Sequence, residues 1–66
     1  MRTDNLLSKR LKAGREMLKL SQEFVSKTMN LSRTAIVAIE SGERKVSTDE
    51  LKQFSNLYGW SVERLL

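Results

Sequence analysis

The chain has 66 residues with no cysteine and no histidine, which rules out disulfides, the usual zinc sites, and the Ser-His and Cys-His pairs of nucleophilic catalysis. So short a chain makes one small domain with little room for a concave substrate pocket, and neither an enzyme nor a cofactor or metal site is expected. Twelve Lys and Arg against eight Asp and Glu give a net charge of +4 and a pI near 9.9, a balance that suits a polyanion, either nucleic acid or an anionic membrane surface.

Apolar residues recur at helical rather than alternating spacing, and proline is absent, so the expected fold class is all-α. The first helix runs from near Asp4 to about Leu18, with Leu7, Leu11 and Leu18 on one stripe. The second spans about 21–28, with Ser21 as N-cap and Val25 and Met29 directed inward. Asn30 sits in the middle of the turn MNL, where its tolerance of the left-handed backbone suits a sharp stop. Ser32 caps the third helix, about 32–41, which ends at Gly42. After the polar loop GERKV, Ser47 and Glu50 form a capping box. The fourth helix buries Leu51, Phe54 and Leu57 and stops at Gly59. SVERLL makes a short fifth helix with Val62, Leu65 and Leu66 apolar. Residues 1–66 therefore read as one compact five-helix domain.

The third helix carries an unusual outer face. On a wheel of about 100° per residue, Ser32, Ala35, Ile36 and Ile39 fall toward the core, and Arg33, Thr34, Val37 and Ala38 fall opposite. A solvated face ordinarily carries several charges, but this one has a single arginine among small or uncharged residues. Helix two, a tight turn and helix three make a helix-turn-helix, whose second helix can lie in a DNA major groove. Short side chains allow close approach to the bases. Arg33 has the fork to donate to guanine O6 and N7, Thr34 suits a base edge or a phosphate, and Val37 and Ala38 suit thymine methyl groups. The wheel alone is equally served by a plain outer face on a core helix.

The stretch SQEFVSKTMNLSRTAIVAIESGERK resembles the helix-turn-helix of the Xre/Cro family, the lambda-repressor-like DNA-binding domains of phage repressors. Leu20, Ser21, Gln22 and Glu23 match its opening, and Ser32, Ile36, Ile39, Glu40 and Gly42 match the remainder at the family spacing. YGWSVERLL is similar to the usual end of these domains, so the likeness covers essentially the whole chain. The resemblance implies sequence-specific binding of double-stranded DNA by a transcriptional regulator, a repressor acting as a homodimer on a dyad-symmetric operator. By position, it places Gln22, Ser32, Arg44 and Lys45 on DNA phosphates and Arg33, Thr34, Val37 and Ala38 on bases. It pairs Arg15 with Glu40 in an internal salt bridge and puts Trp60, Arg64 and Leu66 at the dimer interface.

The chain departs from the family pattern in places. Gly14 stands where a larger apolar residue is usual, which calls for something packed close, with Trp60 the candidate. Lys19 replaces a glycine that often ends helix one, so that turn is expected to differ. Phe24 stands where the family is often acidic, as part of the core's edge or of a protein contact.

Other readings stay open at this level. Phe24, Trp60 and Leu66 suit a protein-interaction module or an antitoxin-type regulator. The chain also reads as the N-terminal DNA-binding part of a longer protein. Lys9, Arg10, Lys12 and Arg15 would suit a membrane surface, but the leucines such a helix would insert are needed for the core. No apolar run approaches the roughly 18 residues of a membrane span, and MRTDNLLSKR lacks the apolar block of a signal peptide. The expected setting is cytoplasmic, on the nucleoid when bound to DNA.

Overall fold

The computed structural model describes residues 3–66. Its five helices are α1 (Thr3–Met17), α2 (Gln22–Met29), α3 (Arg33–Ser41), α4 (Thr48–Tyr58) and α5 (Val62–Leu65). Among the described residues there is no strand, and no helix is long and apolar enough to cross a membrane.

Serine starts four of these helices. Ser21, Ser32, Ser47 and Ser61 each hold an extended backbone and accept the backbone N–H three residues on, from Phe24, Ala35, Glu50 and Arg64. Each hydroxyl satisfies an N–H that the helix itself leaves unpaired. Left-handed residues stop the helices: Lys19 (φ 58°), Asn30 (φ 57°), Gly42 (φ 84°) and Gly59 (φ 72°). Lys19 stands where the family often has glycine. Lys19 adopts the conformation that glycine would, and the peptide groups that follow close onto the helix end through Lys19 N–Glu16 O and Leu20 N–Arg15 O, each 3.0 Å.

The core is Leu11, Val25, Met29, Ile36, Ile39, Phe54, Tyr58 and Leu65, with Leu7, Leu20, Leu31, Val46, Leu51, Leu57 and Trp60 packed around it. A fully buried side chain of this kind contributes roughly 1.5–3 kcal/mol. Phe54 and Tyr58 meet at tilted rings 5.7 Å apart. The apolar stripe of α1 is one turn shorter than its spacing suggests. Leu18 lies beyond the last helical residue and is 43% exposed, because the chain reverses at Lys19 before another turn can pack. The buried stripe ends instead at Gly14. A Cβ there would stand 3.1 Å from Tyr58 Cδ2 and 3.3 Å from Trp60 Cη2, so the missing side chain lets both rings lie against α1. In α4, Leu51 and Leu57 are only half-buried, and Tyr58 is a buried member that the stripe of leucines and phenylalanine did not include. Leu66 is not core either: it is 53% exposed.

Candidate nucleic-acid interface

The pair α2–α3 is built on one tight reversal. Asn30 is left-handed, its N–H meets Lys27 O at 3.2 Å, and Leu31 N reaches Ser26 O at 2.8 Å. These bonds satisfy the last carbonyls of α2 and fix the exit angle. Ile36 and Ile39 anchor α3 in the core with no exposed surface. Anchoring that face turns the other outward: Arg33, Thr34 and Val37 are exposed and Ala38 is half-buried at its edge.

One buried carboxylate ties three elements together. Glu40 Oε2 lies 2.7 Å from Arg15 Nε, and Oε1 accepts from Arg15 Nη2 and from Gln22 Nε2, both at 3.2 Å. Arg15 Nη1 also donates to Leu20 O at 2.8 Å, in the turn between α1 and α2. The side chains of Arg15 and Glu40 are mostly buried, at 12% and 5% exposure. The hydrogen bonds from Arg15 to Glu40 hold the guanidinium charged, with its pKa raised. Close by in the same packing layer, burial and then the charge on Glu40 push the Tyr58 phenol up. Its hydroxyl has no hydrogen-bond partner among the described residues.

Gln22 is half-buried. One of its amide hydrogens is given to Glu40, which leaves the second for another acceptor. Ser32 accepts the Ala35 N–H at 3.1 Å, and a hydroxyl that accepts in this way keeps its own hydrogen to donate.

The loop after α3 folds back on the helix: Glu43 N and Arg44 N both reach Ala38 O, at 2.9 and 3.2 Å. Lys45 is exposed and has no ion pair among the described residues. Arg44 is placed differently from a free surface cation. Its Nη1 and Nη2 donate to Glu50 Oε1 and Oε2 at 3.0 and 2.8 Å, a two-pronged pair. Glu50 Oε1 also accepts the Ser47 N–H at 3.0 Å, completing the capping box. The hydrogen bonds from Arg44 come first in holding the Glu50 carboxyl down, to about 2.

Trp60, Arg64 and Leu66 lie at the α5 end. The Arg64 guanidinium sits 4.2 Å from the centroid of the half-buried Trp60 ring, within the range of cation–π attraction. The Ser55 hydroxyl donates to Trp60 O and fixes the turn.

Sequence reasoning missed two partners. The bond of Gln22 to Glu40 and the arginine behind the Glu50 cap have no signal in the sequence. An acid six residues after an arginine across a loop has no helical periodicity to reveal it.

Residues 11–65 match the helix-turn-helix family. The chain belongs to that family. Membership places it among DNA-binding transcription regulators. No curated protein sequence matches it significantly, but solved structures resemble it closely. The restriction-modification controller protein C.AhdI from Aeromonas hydrophila superposes with a TM-score of 0.86 at 24% identity, over 94% of each chain. The DNA-binding domain of BldD superposes at 0.83 with 26% identity, over 100% of this chain and 99% of that one. The hydroxypropylphosphonic acid epoxidase of S. wedmorenis also contains this fold, with a TM-score of 0.86 at 21% identity over 94% of this chain. The matching part is 33% of the epoxidase, so the likeness is one of fold within a much longer enzyme.

Proposed function

We propose that this helix-turn-helix domain binds double-stranded DNA sequence-specifically, with α3 in the major groove, and represses transcription as a homodimer on a dyad-symmetric operator. The observation that carries the reading is the outer face of α3. Arg33, Thr34 and Val37 are exposed on a helix whose opposite side is locked in the core, and the face holds one charge where a solvated face would hold several. Arg33, Thr34, Val37 and Ala38 read bases. Gln22, Ser32, Arg44 and Lys45 hold the DNA backbone and set the register.

The domain measures only 29 × 23 × 21 Å, and a single module of this size buries limited DNA surface. Pairing two copies across half-sites about 34–36 Å apart supplies the affinity. Trp60, Arg64 and Leu66 form the dimer surface. C.AhdI is a restriction-modification controller protein, and a similar regulatory role is consistent with this chain.

The test is to compare Arg33→Ala and Lys45→Ala on a selected site and on a scrambled duplex. Arg33→Ala should cost roughly 1–3 kcal/mol on the selected site and little on the scrambled one. Lys45→Ala should weaken both alike and flatten the dependence on salt. Equal losses on both duplexes for both variants would overturn the division between base readers and phosphate holders.

A protein contact is favoured at one place. Phe24 is 49% exposed on the side of α2 away from its buried residues Val25, Ser26 and Met29. Phe24→Ser should leave DNA binding unchanged if that side meets a protein.

A further inference from the structure

The pair Arg44–Glu50 does more than close a loop. An arginine presents two forks: the ends of Nη1 and Nη2, and the side edge formed by Nε and the remaining hydrogen of Nη2. Glu50 occupies the first, with bonds of 3.0 and 2.8 Å. The second hydrogen of Nη1 is directed to Lys45 O at 3.3 Å. The Nε edge makes no hydrogen bond among the described residues. The arginine side chain is 38% exposed, whereas the carboxylate behind it is 15% exposed. Glu50 is itself fixed, because Ser47 holds it at both the side chain and the backbone N–H.

Resting on the DNA-binding reading above, we infer that Glu50 is a positioning residue for the DNA backbone: it grips Arg44 end-on and leaves the Nε edge set to take a phosphate. The guanidinium is then shared between a carboxylate inside the domain and a phosphate outside it. The rotamer freedom of a long side chain is lost on folding rather than on binding, which favours association. The planar fork is essential. A lysine at the same place would have one nitrogen for both the carboxylate and the phosphate, and no second planar edge to offer. Lys45, exposed and without an ion pair among the described residues, acts beside it as a simple point charge.

A double-mutant cycle on a random-sequence duplex, read at several salt concentrations, tests this. Removing Glu50 changes the net charge, but that change enters both sides of the cycle and cancels. Glu50→Gln also keeps the capping box, since glutamine serves at this position, and thermal unfolding of each variant verifies the fold. Arg44→Gln should weaken wild-type binding roughly tenfold and reduce the salt slope by about 0.9. In the Glu50→Gln background the same change should cost no more than about threefold. Arg44→Lys, which keeps the charge but not the second planar edge, should bind more weakly than wild type and more tightly than Arg44→Gln.

Three results would overturn the inference: an Arg44→Gln variant as tight and as salt-sensitive as wild type, an Arg44→Lys variant equal to wild type, or an undiminished loss in the Glu50→Gln background. In each of these the wild type still binds and Lys45→Gln still lowers the slope, so the DNA reading survives. A wild type with no affinity for any duplex would remove that reading and this inference together.

Discussion

Gln22 and Arg15 donate to the same oxygen of Glu40, each at 3.2 Å. The residue proposed to touch the DNA backbone from α2 is thus held by the carboxylate that locks α3 against α1. Stability and the proposed binding geometry meet at one side chain on α3.

Truncating Glu40 leaves Arg15 as an unpaired, mostly buried charge and removes the partner of Gln22. Glu40→Ala should destabilise the domain by about 3–5 kcal/mol in urea titration. Replacing both members of the pair with apolar residues of similar size should restore much of that loss. The restored protein should still bind DNA less tightly than wild type, because Gln22 has lost its partner. Full recovery of both stability and affinity would mean that Glu40 does not orient Gln22.

Glu50 gives the domain a defined sensitivity to acid. Its carboxyl titrates near about 2 in the folded state, against 4.5 for the unperturbed side chain. The folded state therefore binds fewer protons than the unfolded state in this window. Its contribution is fully present above pH 4.5 and is lost as the pH falls toward about 2. Urea midpoints measured across that window should fall more steeply with acid for wild type than for Glu50→Gln. Parallel curves would show that the ion pair with Arg44 is not the source.

Two positions in and after α1 make opposite predictions. Lys19 holds φ 58°, a region that costs a side chain roughly 1 kcal/mol, so Lys19→Gly should raise stability by about 0.5–1 kcal/mol. At Gly14 the helix itself would gain about 1 kcal/mol from alanine. The added Cβ, however, meets the Tyr58 ring at 3.1 Å. Tyr58 is 4% exposed, so its ring must give by a few tenths of an ångström against close-packed neighbours. Overpacking of this kind costs about 1–3 kcal/mol, and Gly14→Ala should lower stability by about 1 kcal/mol overall. Thermal unfolding of the two variants reads both signs.

Much of the fold is legible in the sequence because its signals are local. Serines before apolar periodicity mark the starts of α2, α3, α4 and α5, and Asn30, Gly42 and Gly59 mark ends. Local signals fail where packing across the fold decides. Leu18 carries the right spacing but falls past a turn that lysine was not expected to make. Tyr58 is buried because Gly14 opens a place for its ring, which the pattern of α4 by itself does not contain. In the candidate interface, the face of α3 follows from a wheel. The side chains that hold Gln22 and Arg44 come from other elements and leave no periodic trace.

The proposed dimer surface has a direct test. Leu66 is 53% exposed, so Leu66→Glu can place a charge there without entering the core. Sedimentation should find a monomer with an unchanged unfolding temperature and at least roughly tenfold weaker binding to a dyad site, since linked half-sites no longer act together. An unchanged dimer would move the interface away from the α5 end.

The central claim is that α3 reads bases in the major groove, and enrichment of binding sites from randomised duplex DNA by wild type and Arg33→Ala in parallel tests it most directly. The expected wild-type site is dyad-symmetric, with half-sites about 10–10.5 base pairs apart, and the variant should lose one defined base preference in each half. Identical sites from both proteins, or no enrichment with only salt-sensitive binding to any duplex, would contradict it.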